Sequence, residues 1–175
     1  HPTNYAGWEV LADTVRGRLA ALPPATRVVA GDFKLGAELG FALGDAAIPV
    51  LDHPLNARHG RAPQLALWGL LRERLDVEAG NPVLLVVAAN HVDFADLLGY
   101  YHRLCEQVGP LPSPQVVNID HGRQRFLLFA IHARTRSRAC TTPALAFLDA
   151  PGPSATVESS FDVAGWAFKD GVGLA

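Results

Sequence analysis

The chain contains no methionine, only two lysines (Lys34, Lys169) among its fifteen basic residues, and only two cysteines. No apolar run approaches the ~20 residues that a membrane helix needs. A net charge of −2 lacks the basic excess of a nucleic-acid-binding surface, so no nucleic-acid partner is expected. The opening His1-Pro2, with methionine absent throughout, is read as a segment cut or processed from a longer protein. Catalytic signatures are absent too. Gly31, Gly36 and Gly40 give neither GxGxxG nor a Walker loop, and no serine sits in GxSxG. The seven histidines lack HxxxH, HExxH or cysteine-paired spacing. Neither metal nor cofactor is expected, and no catalytic residue is assigned.

At 175 residues with 49% hydrophobic content, the chain is long enough for one ordinary domain with a substantial core. Its organising stretch is Arg27 to Trp68. A β-branched run (27–31), a helix-length segment (32–44) and a second apolar run (48–51) read as a βαβ unit. Asp32 stands at the N-cap position, a role that suits it better than catalysis. Gly36, Gly40 and Gly44 recur every fourth residue, and small residues so spaced let a helix lie close to a sheet.

Before this unit a helix is expected from about Tyr5 to Ala21, capped by Thr3 or Asn4, with Trp8, Leu11, Val15, Leu19 and Leu22 on one face. After it, Pro63 opens a helix whose stripe is Leu67, Trp68, Leu71 and Leu75. Val83–Val87 shows no alternation, as expected of a central strand covered on both faces. Asp93 is placed as the cap of a helix with Phe94, Leu97, Leu98, Tyr101, Leu104 and Cys105 inward. Strands at 115–119 and 124–133 form a hairpin about Asp120–Arg123.

The fold class is therefore α/β: a three-layer α/β/α sandwich with a mostly parallel sheet, an antiparallel edge hairpin and a C-terminal β extension. Its domains are 1–135, a linker at 136–142, and a β-rich 143–175 resembling a truncated β-sandwich. Cys105 and Cys140 either form one disulfide in an oxidising compartment or stay as buried thiols.

Ligand contact is expected first in the polar loop after the second strand, at Asp52, His53, Arg58, His59, Arg61 and Gln64. Arginines so grouped suit a phosphate or a sugar. Asp32, Asp52 and Asp93 each follow a strand, where open α/β sheets bind ligands.

The run Val28-Val-Ala-Gly-Asp-Phe-Lys-Leu-Gly-Ala-Glu-Leu-Gly-Phe-Ala-Leu43, with Pro49 and Arg61-Ala-Pro-Gln-Leu-Ala-Leu-Trp68, resembles the soluble C-terminal region of bacterial membrane glycosyltransferases of the protein O-mannosyltransferase and aminoarabinose-transferase superfamily. His1-Pro-Thr-Asn-Tyr-Ala-Gly-Trp8 resembles the lead-in after the last membrane helix of that family. The likeness covers residues 1 to 135. It departs at Phe33, where the pattern has Tyr, at Ala42, where it has a second aromatic, and at Leu65-Ala66, where it has Tyr-Asp. Asp149-Ala-Pro and Val163-Ala-Gly-Trp-Ala-Phe-Lys-Asp-Gly-Val172 resemble the start of an immunoglobulin-like module.

The resemblance implies a non-catalytic domain on the periplasmic face of the bacterial inner membrane. Its partner would be the membrane-embedded half of the same polypeptide, which carries the catalytic carboxylates and uses a polyprenyl-phosphate sugar. The domain would cover that active site or orient a glycan acceptor. Alternatives are a free-standing carbohydrate-binding or adaptor module, and a small α/β hydrolase using Asp32 or Asp52.

Overall fold

The computed structural model describes residues 7–75, 82–119, 122–132, 142–152 and 155–169. The chain divides into two compact units, His1–Thr141 and Thr142–Ala175.

The first unit is a six-stranded mixed sheet with helices, the α/β class expected. In chain order it holds α1 (Trp8–Ala20), β1 (Arg27–Ala30), α2 (Phe33–Leu43), β2 (Val50–Leu51), α3 (Pro54–Arg58), α4 (Ala62–Leu67), β3 (Leu71–Arg72), β4 (Val83–Ala88), α5 (Leu97–Val108), β5 (Gln115–Ile119) and β6 (Gln124–Ile131). The strand order is β3-β2-β1-β4-β6-β5. β1, β2, β3 and β4 are mutually parallel where they pair, and β6 runs antiparallel to β4 and to β5. The hairpin thus closes one edge, as the two strand-length runs about a turn suggested; Asp120 and His121 lie outside the described residues.

Strand β4 is buried at every position. Alternate side chains explain why. Leu84, Val86 and Ala88 join Val28, Ala30, Phe126 and Leu128 in a core closed by Leu11 and Val15 of α1 and Leu35 and Leu39 of α2. Leu85, Val87, Leu127 and Phe129 point to the opposite face and are buried as well. On α5, Leu97, Tyr100, Tyr101, Leu104 and Val108 make the buried stripe. Tyr100 comes so close to β1 that a Cβ on Gly31 would lie 3.2 Å from its hydroxyl.

Several local expectations need correcting. Helix α1 has Gly7 at its N-cap with no side-chain cap bond, and Thr3 and Asn4 lie outside the described residues. The segment after Asp52 is not a loop: Pro54 starts α3, and His53 caps it by accepting the Leu55 amide on Nδ1 at 3.0 Å. The long helix expected from Pro63 stops at Leu67, because Gly69 turns the chain at φ +67°. Its buried residue is Leu65, while Leu67 and Trp68 are exposed and Leu71 belongs to edge strand β3. Asp93 makes no side-chain cap bond; a 3-10 turn at Phe94–Asp96 leads into α5, and Phe94 is exposed. Of the three spaced glycines, only Gly36 meets the sheet, where an added Cβ would lie 2.6 Å from Val50 Cγ2. Gly44 is the left-handed C-cap of α2, at φ +68°.

Cys105 on α5 is disulfide-bonded, and Cys140 lies outside the described residues.

In the second unit β7 (Leu145–Ala150) and β8 (Ala164–Phe168) pair antiparallel with a bulge near Leu148. Phe147 and Trp166 stack across the pair at 6.4 Å. These strands expose most of their side chains, as a two-stranded ribbon must.

Candidate functional site

From β1 the chain proceeds outward on one side to β2 and β3, then returns to place β4 on the other side of β1. The gap between the C-terminal ends of β1 and β4 is therefore the topological switch point. Connections leave it in opposite directions there and a crevice opens, the usual ligand position in such sheets. Asp32 follows β1, and the 3-10 turn Ala89–His91 follows β4.

Asp32 is buried, and both its oxygens are engaged. Oδ1 accepts the amides of Lys34 (2.9 Å) and Leu35 (3.2 Å), which caps α2. Oδ2 lies 2.6 Å from His91 Nδ1. Burial by itself would push this carboxyl up, but the His91 bond and charge, with the Leu35 amide, hold it below the ordinary value. The capping role read from the sequence is present; the tie to β4 through His91 was not foreseen.

Asn56 completes the brace. It is fully buried, its Oδ1 accepts the Phe33 amide at 2.9 Å, and its Nδ2 donates to the Leu51 carbonyl at 2.9 Å. One side chain thus joins the start of α2 to the end of β2. His53 sits beneath, edge-on to Tyr100 at 5.0 Å, with Nε2 buried and unpartnered among the described residues. Burial pushes its imidazole below the ordinary range, and nearby Asp32 offsets only part of this. Burial, then Asp32, pushes the Tyr100 hydroxyl far up; the Tyr101 hydroxyl is pushed up to about 12, again by burial.

Above this brace lies an open cleft of about 550 Å³. Trp8 and Phe33, both half-buried, supply aromatic surface, and the Trp8 ring packs 5.5 Å from that of the buried Phe126. Lys34, His91, Arg123 and Arg125 bring positive or protonatable groups, and Glu38 is the acid among the lining side chains. Arg125 is braced: its Nε donates to Asn118 Oδ1 at 3.0 Å, and its amide donates to Asn90 Oδ1. On the other flank of α2 runs a mainly apolar groove of about 940 Å³ between α2 and α4, bordered by Phe41 and Trp68.

Of the six residues singled out from the sequence, Arg61 and Gln64 share one groove and the others are not gathered with them. Asp52 is exposed, and its carbonyl accepts from Gln107 Nε2. His53 is an internal cap. Arg58 is exposed at the end of α3, and the His59 ring lies 5.4 Å from Phe33. Arg61 and Gln64 border the apolar groove. The cleft residues Trp8, Phe33, Lys34, Arg123 and Arg125 were missed. His91 was not singled out from the other histidines, although it follows the central strand. That position was the available signal, since a polar residue ending a fully apolar strand stands at the sheet's ligand-binding edge.

Among the described residues no group of three or more His, Cys, Asp or Glu could hold a metal, and no helix is long and apolar enough to cross a membrane. No protein family, curated protein or solved structure matches this chain.

Proposed function

We propose that this chain is an extracytoplasmic domain of a polyprenyl-phosphate-sugar-dependent glycosyltransferase, binding and orienting a glycan acceptor while the chemistry takes place in a membrane-embedded half. The observation that carries this reading is the cleft at the β1–β4 switch point. Flat aromatic rings match the apolar faces of pyranose rings, and among the described residues the lining holds no Ser, Thr or Cys to serve as nucleophile. The carboxylate beneath it, Asp32, is committed to α2 and His91. The disulfide at Cys105 supports an oxidising, extracytoplasmic setting. Of the segments that resemble the glycosyltransferase family, 28–43 holds α2, the wall between cleft and groove, and 61–68 lines the far side of the groove. The acceptor contact expected at 52–64 moves in this reading to the switch-point cleft.

The test is incubation of the 175-residue chain with a polyprenyl-phosphate hexose and an oligosaccharide acceptor. The expected result is saccharide binding with no transfer; transfer by this chain alone defeats the proposal.

A second reading, a small hydrolase, is favoured by one observation. An imidazole held on Nδ1 by a buried carboxylate is oriented as a general base, and Glu38 borders the same cleft. It requires hydrolysis of glycosidic or ester bonds by the isolated chain, abolished by His91→Gln; a negative hydrolysis screen removes it.

A further inference from the structure

Which saccharide the cleft takes follows from its charge. We infer that the cleft between α2 and the β5–β6 hairpin selects an anionic saccharide, with the sugar ring on the aromatic surface and its acidic group among Lys34, Arg123 and Arg125. This rests on reading the cleft as a saccharide site and adds the class of ligand.

Among the described residues that line the cleft, three are basic (Lys34, Arg123, Arg125) and one is a carboxylate (Glu38), in a chain whose net charge is −2. The local excess is therefore opposite in sign to the whole. The cations come from separate elements: Lys34 from the first turn of α2, and Arg123 and Arg125 from the hairpin. The bonds of Arg125 to Asn118 and Asn90 fix the hairpin wall relative to β4, so the charge is presented on a built surface. His91 adds a directional group: Asp32 holds its Nδ1, which fixes the orientation of the ring at the cleft. The helix amides are not the attraction, because Asp32 and Asn56 already occupy those of Phe33, Lys34 and Leu35. Charge-assisted bonds to a carboxylate or phosphate are roughly twice as strong as neutral ones, so the acidic group dominates discrimination.

The test is titration calorimetry of the 175-residue chain with glucuronate, glucose 1-phosphate, glucose, inorganic phosphate and AMP. The two acidic sugars are expected to bind at least about tenfold more tightly than glucose or phosphate alone, since one charge-assisted contact is worth about that factor. Their order tells a carboxylate-selecting site from a phosphate-selecting one. Lys34→Glu is expected to remove that advantage without lowering the melting temperature, Lys34→Arg to keep it, and Arg61→Ala, in the other groove, to leave binding unchanged. Equal affinity for glucose and the acidic sugars overturns the inference but leaves a saccharide site standing. Preference for AMP, or binding of none of the sugars, overturns both.

Discussion

Helix α2 separates two depressions of opposite character. On one flank, Lys34 and Glu38 line a cleft together with Arg123, Arg125 and the half-buried rings of Trp8 and Phe33. On the other, Gly36, Gly40 and Gly44 leave a groove that is mainly apolar, with Phe41 almost fully exposed at its rim. The difference arises from the helix's own sequence. Side chains at the first and second turns build the polar wall, and their absence at every fourth position hollows out the apolar one. The proposed site is the polar one, where Asp32 and Asn56 tie α2 to His91 and β2, and Asn90 and Asn118 hold Arg125. Among the described residues the apolar groove has no comparable set of fixed polar groups.

The comparison breaks first at the brace. Asp32→Ala removes the cap of α2 and the partner of His91 together. It is expected to cost about 3 kcal/mol, a lost cap plus a stranded charge-assisted bond, measured by urea denaturation. A loss below about 1 kcal/mol would mean that the brace is ornamental. Asn56→Ala, which strands the Phe33 amide and the Leu51 carbonyl, is expected to cost about 2 kcal/mol by the same assay.

Next comes the close approach of α2 to the sheet. Gly36→Ala places a methyl 2.6 Å from Val50 Cγ2. The net loss is expected to be about 1 kcal/mol, overpacking outweighing the helix-propensity gain. Val50→Ala in the same chain should return most of it, whereas an unrescued double variant would place the strain elsewhere.

Acid sharpens the contrast, since the titrating groups lie on the polar side. The folded state holds His53 below its ordinary value of 6.5, so on acidification the unfolded chain takes up that proton first. Stability then falls as pH drops below about 6.5, with a slope of at most about 1.4 kcal/mol per pH unit for one proton. Asp32 adds a second loss at lower pH. Its folded value lies below the ordinary 3.8, so its contribution is whole above that value and disappears as pH falls through the folded one. His53→Asn, a cap that does not titrate, is expected to flatten the upper limb in pH-dependent urea melts. The smallest effect belongs to the groove rim: Phe41→Ser should change stability by less than about 0.5 kcal/mol.

Much of the fold was legible because its signals are local. Val28–Ala30 and Val83–Val87 are apolar runs of strand length, Asp32 caps α2, and Leu11 and Val15 repeat on one face of α1. The region 52–75 misled for an equally local reason. Leu67, Trp68 and Leu71 have helical spacing, yet Gly69 turns the chain between them and they end up on exposed or edge positions. The cleft was hidden by something non-local. Lys34, His91 and Arg125 are far apart in the chain, and they meet only because β4 pairs with β1 on one side and β6 on the other. No spacing rule encodes that strand order. The polar loop drew attention by composition alone, and composition does not reveal that His53 turns inward while Arg61 faces the groove.

The most direct measurement is a ¹H–¹⁵N titration of the chain with an acidic oligosaccharide, followed by recovery of the ligand. Shifts confined to Phe33, Lys34, His91 and Arg125, with the saccharide returned intact, are the predicted result. Shifts along Gly40, Phe41 and Trp68 instead, or a cleaved or extended saccharide, would contradict it.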